Sequence, residues 1–273
     1  MMSTWEKLLA DRYSRSKLGR GSFPHRQVRD LTKLGLGDGF SLVVAVDSDG
    51  GIGPRASDVV KVSDYLLGRF AMRVPLMEIL CCGALPLAAF DMLTVSLEDG
   101  GKEIIRGLRD ELNEADLPRD FPLSGSTEEN VPTSMTGVGT ALLGLVREAD
   151  FRPGTSERDD VVLCVGLPKA GPSDEMTLDD GEIVRQRHVR TLLGLESLHD
   201  MLPVGSRGVL YEAGEIARSA GLRFVQSAKP GIDLTKSGGP SSCLLVSVAT
   251  SRGDSIAALL DVPVAKVGRL VVA

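Results

Sequence analysis

The chain has 273 residues, 42% apolar and 25% charged, close to an ordinary globular protein and far from a disordered one. Its formal net charge of −6 argues against a general nucleic-acid binder. The longest apolar runs, such as residues 81–90, fall short of the roughly 20 residues that cross a bilayer. The length favours two domains, and abundant Val, Leu, Ala and Gly with few aromatics suits an α/β protein rather than an all-β sandwich.

The first 34 residues read as an N-terminal arm. Lys7, Arg12, Arg15, Lys17, Arg20, Arg26, Arg29 and Lys33 there outnumber Glu6, Asp11 and Asp30. Such an arm is either a solvated segment or one that folds over a phosphate-bearing ligand. Met1 to Ala10 carries charges and lacks an apolar signal core, so a cytoplasmic protein is expected. Cys81, Cys82, Cys164 and Cys243 form no CxxC pair and sit in apolar surroundings, as buried free thiols do.

Ser41–Val46 is a continuous apolar run that predicts a buried strand, and Asp47–Pro54 after it has the composition of a loop. Ser63 or Asp64 caps a helix expected to run to about Ala84, kinked or divided at Pro75. A strand over Pro86–Val95 and an amphipathic helix over Gly101–Glu114 come next. Asp116–Pro132 reads as a loop and Thr133–Val146 as a strand. Arg152–Asp160, rich in Pro, Gly and charge, marks the boundary between domains at 35–152 and 153–273. Beyond it we expect a strand at Val161–Gly166, helices at Asp179–Leu192 and Val209–Ala220 (the latter ended by Gly221), and a strand at Cys243–Ala249. A short helix at Asp254–Leu260 and a strand at Val267–Val272 complete the chain.

Acidic residues recur beside glycine in the first half: Asp38 between Gly37 and Gly39, Asp47 and Asp49 after the first strand, and Glu128 in the loop opened by Gly125. Glu78 joins them from the helix. Hard oxygen ligands of this kind suit magnesium, which takes one or two carboxylates and fills its other positions with water and phosphate. Adjacent glycines let backbone amides approach phosphate oxygens. Neither GxxxxGK[ST] nor GxGxxG occurs, so neither a P-loop nor a Rossmann site is indicated.

The succession Gly37-Asp38, strand, Asp47-Ser48-Asp49-Gly50, helix with Glu78, and Cys82-Gly83-Ala84-Leu85-Pro86 resembles the aminoimidazole ribonucleotide synthetase (PurM-like) superfamily. Gly125-Ser126-Thr127-Glu128 is similar to its G-G-D/E-T loop, and Val262–Arg269 to its C-terminal V-P-x-x-x-I-G-x phrase. Members include thiamine-monophosphate kinase, selenophosphate synthetase and a hydrogenase-maturation protein. The resemblance implies a two-domain α+β fold, with an N-terminal four-stranded sheet that pairs in a homodimer and a C-terminal α/β domain. It further implies ATP and Mg2+ near the dimer interface and an acceptor in the cleft between domains. Asp38, Asp47, Glu78 and Glu128 then become metal ligands. Asp49, Gly50, Gly51, Gly53, Ser126 and Thr127 become nucleotide-binding residues, and Lys169 and Arg207, with Lys236, candidates for handling transferred charge.

The D-V-S-D-G phrase of thiamine-monophosphate kinase has no counterpart. Pro203-Val204-Gly205-Ser206-Arg207-Gly208 stands in its place. Val46–Pro54, Gly166–Gly171 and Lys236–Pro240 are instead similar to the α-ribazole kinases of cobamide salvage, which implies transfer from ATP to the 5′-hydroxyl of a small-molecule nucleoside. Two rivals are another kinase of the superfamily, such as thiamine-monophosphate kinase, and a non-catalytic nucleotide-binding maturation partner.

Overall fold

The computed structural model describes residues 7, 9–11, 13, 14, 23–195 and 197–273. Much of the sequence-predicted arm, residues 1–6, 8, 12 and 15–22, therefore lies outside the described residues. Its last part does not: His25–Val28 (β1) and Leu31–Gly37 (β2) form an antiparallel hairpin that continues the first sheet. Lys33, counted among the arm's cations, is buried there against Glu148 (2.6 Å) and beside the Phe151 ring.

The first sheet holds β1, β2, Phe40–Gly50 (β3), Leu85–Leu93 (β4), Leu123–Thr127 (β5) and Gly137–Arg147 (β6), in the order β1-β2-β3-β6-β4-β5. The expected four-stranded unit is its centre, β2-β3-β6-β4. The short strands β1 and β5 add an edge on each side. β5 lies where we expected a loop. Its sequence LSGST has no apolar alternation, and it becomes a strand only by pairing in parallel with β4. Along β3, Ser41, Val43 and Ala45 are buried while Val46 is exposed, the period of two that makes one face of the sheet the core.

Two helices cover that core face. Asp64–Cys81 (α1) is capped by the Ser63 side chain, which accepts from the Leu66 amide, and it runs through Pro75 without dividing. Lys102–Glu114 (α2) crosses it closely, because glycines stand at the crossing. A Cβ at Gly68 would lie 2.1 Å from the Ile104 carbonyl oxygen, and one at Gly107 would lie 2.2 Å from that of Tyr65. Leu67, Met72, Leu76, Ile104 and Leu108 fill the space between helices and sheet.

The second half builds a five-stranded antiparallel sheet from Val161–Val165 (β7), Leu198–Pro203 (β8), Leu222–Gln226 (β9), Leu244–Val248 (β10) and Val264–Val272 (β11), ordered β8-β10-β7-β11-β9. β7 and β10 are buried throughout and read as unbroken apolar runs. β8 and β9 escape sequence patterning because each is short and abuts a helix. Gln186–Leu193 (α3), Gly208–Ser219 (α4) and Gly253–Ala257 (α5) complete the half. α3 starts seven residues later than expected. The stretch before it is an extended loop tied by Lys169 to Asp180 (2.7 Å) and Glu182 (2.6 Å).

The four cysteines are free and buried. Among the described residues no helix is long and apolar enough to cross a membrane.

Candidate active site

The C-terminal ends of β3 and α1 meet the second half around a cavity of about 910 Å³. Three of the sequence-predicted acidic residues line it: Asp47 and Asp49 from β3, and Glu78 from α1. They converge because Asp47 and Asp49 continue the buried face of β3, over which α1 packs. A fourth lining carboxylate, Asp30, was read as part of the arm. It occupies the β1–β2 turn, and the pairing of Thr32 with Val44 sets it beside the end of β3. Glu212, on α4 behind Gly205, completes the group and was not singled out from the sequence. Both could have been found by asking which acids flank a strand that pairs with β3 or occupy the first turns of the helix after β8.

Asp30 is exposed, and the other carboxyls stand in a poorly solvated place where like charges repel. Burial, with the charges of Asp30 and Glu212, pushes Glu78 up to about 8. Burial and the neighbouring Asp47 raise Asp49 to about 7. Burial and Asp30 raise Glu212 to about 7, and Asp47 is also held above the usual carboxylate range by burial. Like charges gathered without a full set of countercharges are the electrostatic condition that a cation relieves. Among the described residues no three His, Cys, Asp or Glu side chains form a metal cage by themselves.

Other expected residues lie elsewhere. Asp38 turns the corner between β2 and β3 at a left-handed φ of 49°, at the end of β2 away from Asp30. The seven-residue β2 separates them by roughly 20 Å at the rise of a strand. The glycine-flanked aspartate is a hairpin corner and does not line the cavity, whereas Asp30 does. Glu128 is half-buried just after β5 and accepts from the Asn130 and Val131 amides at 2.7 and 3.1 Å. Ser126 and Thr127 belong to β5, and the Thr127 hydroxyl donates to Glu129 (2.6 Å). None of the three lines the cavity.

The glycine loop also differs from expectation. Gly50 pairs with Gly137 in the sheet. The amide of Gly51 donates to Thr136 O and that of Gly53 to Val60 O, both at 2.9 Å, so neither is free for phosphate. Gly53, at φ 148°, is required for space. A Cβ there would lie 2.5 Å from the Thr136 hydroxyl and 2.7 Å from the Asp58 carboxylate. Asp58 accepts from the amides of Arg55 and Thr136 (2.8 and 2.7 Å) and from the Thr136 hydroxyl (2.8 Å). This pins the loop that carries Val59 and Val60, both of which line the cavity.

Leu66, Phe70 and Val74 from α1 and Pro172, Met176 and Pro240 from the second half give the rest of the wall apolar area, and Asp174 and Glu175 line it beside Met176. The segments Gly166–Gly171, Pro203–Gly208 and Lys236–Pro240, singled out from the sequence, all contribute here through Gly171, Pro203, Gly205, Ser206, Gly239 and Pro240. Their cations do not. Lys169 is held by Asp180 and Glu182, Lys236 by Asp174 (2.7 Å), and Arg207 lies over the Tyr211 ring at 4.5 Å. Lys61 is the one lysine or arginine among the described lining residues, and its ammonium donates to the carbonyls of Arg55 and Ala56.

Residues 33–146 match the family model "AIR synthase related protein, N-terminal domain". No curated protein sequence matches the chain. Among solved structures, it is similar to thiamine-monophosphate kinase from Stenotrophomonas maltophilia K279a, at 18% identity and a TM-score of 0.61, with 97% of this chain and 94% of that one covered. It is similar to AaThiL complexed with AMPPCP and TMP, at 15% identity and a TM-score of 0.61, covering 97% and 90%. The hydrogenase maturation protein HypE in complex with ATP aligns at 15% identity and a TM-score of 0.60, covering 84% and 77%. Residues 33–146 thus correspond to the N-terminal domain of AIR synthase-related proteins, and the chain as a whole has the two-sheet α+β fold seen in thiamine-monophosphate kinase and HypE.

Proposed function

We propose that this protein is an ATP- and Mg2+-dependent phosphotransferase whose acceptor is a neutral nucleoside, with α-ribazole the favoured candidate. The carrying observation is the cavity itself: an acidic end at Asp30, Asp47, Asp49 and Glu78, and an apolar wall at Phe70, Val74, Met176 and Pro240. The acidic end fits magnesium, since its donors are all carboxylate oxygens and their raised affinity for protons marks uncompensated charge. One or two of Asp30, Asp47, Asp49 and Glu78 would hold each ion, with water and phosphate oxygens in its other positions. The absence of a preformed cage accords with an ion that also takes phosphate oxygens. Magnesium would supply charge neutralisation on the transferred phosphoryl group. The neighbouring structures complexed with AMPPCP and with ATP support nucleotide use in this fold.

The acceptor class follows from the cations. An acceptor that already carries a phosphate monoester needs a positive partner, and the only lining lysine among the described residues is engaged by carbonyl groups. A neutral heteroaromatic nucleoside needs only an apolar, ring-bearing wall and a hydroxyl within reach of the acidic end. This favours the ribazole reading over thiamine monophosphate.

The test is a mass-spectrometric assay of the purified protein with ATP, Mg2+ and a panel of acceptors. The expected product is α-ribazole 5′-phosphate. Thiamine diphosphate formed at a comparable rate would overturn the acceptor, and ATP binding with no phosphorylated product would favour a maturation partner.

We further propose a homodimer formed through the uncovered face of the first sheet. Val46, Leu85, Phe90 and Met92 are all exposed there, on strands β3 and β4. An apolar sheet face of this kind calls for a partner surface.

A further inference from the structure

The two halves are joined beside the acidic cluster by a buried ion pair. Arg29, in the β1–β2 turn, reaches into the second half and forks onto Asp200 of β8. Nη1 donates to Oδ1 at 3.0 Å and Nη2 donates to Oδ2. The two side chains are 3% and 0% exposed. The Arg29 Nε donates to the hydroxyl of Ser219 at the end of α4 (3.1 Å). Asp200 is saturated further by the amides of Met201 (2.8 Å) and Gly154 (3.1 Å). Every remaining direction of the carboxylate is thus taken, which fixes the guanidinium in one orientation.

The residue after Arg29 is Asp30, which lines the cavity. Arg29 itself adopts a left-handed φ of 54°. For a residue with a Cβ that conformation is unfavourable, and Gly or Asn adopts it more readily. Here it directs successive side chains to different places, one into the second half and one into the acidic end. A buried ion pair contributes little net stability, because desolvation offsets the attraction. Its effect is directional.

We propose that Arg29 is a positioning residue: clamped by Asp200, it holds Asp30 in the cation site and sets the separation of the two halves at the cavity. The proposal rests on reading the acidic end as a cation site. Arg29 also counters the charge of Glu78 and Glu212, so the clamp and the cluster are electrostatically joined. Loss of the fork frees the turn, and Asp30 then meets the ion with an orientational cost. Losses of this kind are about 10- to 100-fold in metal affinity when a ligand's supporting contact is removed.

The experiment measures Mn2+ binding to the full chain by electron paramagnetic resonance of the free ion, without turnover, on variants checked for folding by circular dichroism. Asp200→Asn and the apolar pair Arg29→Met with Asp200→Leu are compared with wild type. The apolar pair leaves no buried charge unpartnered, although the Met201 and Gly154 amides lose their acceptor and stability falls somewhat; in the folded variant the Mn2+ affinity falls at least about tenfold. Arg29→Lys keeps the charge without the fork, and a smaller loss is expected. Wild-type Mn2+ affinity in any folded variant of these three overturns the positioning role. The cation-site reading fails separately if Asp47→Asn binds Mn2+ as well as wild type does.

Discussion

Asp30 and Asp47 stand side by side at the acidic end of the cavity although they belong to different strands, because β2 and β3 pair antiparallel with Thr32 opposite Val44. Each carboxylate raises the electrostatic cost of the other's charge, as the effect of Asp30 on Asp47 records. Replacing either by asparagine keeps the shape and removes a charge that a cation needs. Asp30→Asn and Asp47→Asn should each lower phosphoryl transfer by about a hundredfold or more, the scale of losing one electrostatic contact to a transferring group. Asp38→Asn, at the far corner of the hairpin, should retain near-wild-type rates. Steady-state assays of folded variants at saturating ATP and Mg2+ decide this, and a reversed ranking of Asp30 and Asp38 would refute the assignment.

The raised carboxyls give a pH signature of their own. Glu78 at about 8 and Asp49 at about 7 hold protons in the folded protein that they release in the unfolded chain, where their values are 4.5 and 3.8. The folded state therefore binds more protons than the unfolded state between about pH 4 and pH 8, and stability falls as pH rises through that window. At the proposed site magnesium would bind the ionised forms and should restore stability most strongly near pH 8. Thermal unfolding at pH 6 and pH 8, with and without Mg2+, measures both effects. An Mg2+ stabilisation equal at the two values would contradict this account.

Phe70 presents its ring to the cavity from the middle of α1, between Leu66 and Val74. If it stacks on the acceptor base, Phe70→Ala should raise the acceptor KM about tenfold, as expected for one aromatic contact. The KM for ATP should change little. Equal effects on both constants would point to general damage of the helix instead.

The helix crossing tolerates no side chain. With a Cβ at Gly68 placed 2.1 Å from a carbonyl oxygen, Gly68→Ala forces α1 and α2 apart. The expected cost is about 1–3 kcal/mol, typical of overpacking. Urea denaturation measures it, and a stability equal to wild type would mean that the helices separate freely.

The proposed sheet-to-sheet dimer is tested at its exposed centre. Val46 is 64% and Phe90 40% exposed on neighbouring parts of the uncovered face. Val46→Glu with Phe90→Glu buries two charges in any such interface and should give a monomer by sedimentation equilibrium. A wild-type monomer at micromolar concentration would already remove the proposal.

Sequence by itself determined what depends on near neighbours. The apolar run of β3, the Ser63 cap and apolar face of α1, the amphipathic α2 and the unbroken apolar β7 and β10 each follow from local pattern. So does Glu78 on its helix, whereas Asp47 and Asp49, expected in a loop after the strand, lie within β3, which pairing with β6 extends to Gly50. Tertiary structure alone decided which acids share a cavity. Asp38 has the better local signal, an aspartate between glycines, yet strand pairing carries it to the wrong end of β2 and brings Asp30 to the right one. β5 and the arm's last residues become strands through partners distant in sequence. The partners of the cations are likewise set by the fold: Lys169 and Lys236 look available in sequence but pair with Asp180 and Asp174, and Arg207 lies over the Tyr211 ring. Local pattern encodes an element and its buried face, whereas register and the meeting of the two halves depend on contacts between segments far apart in the chain.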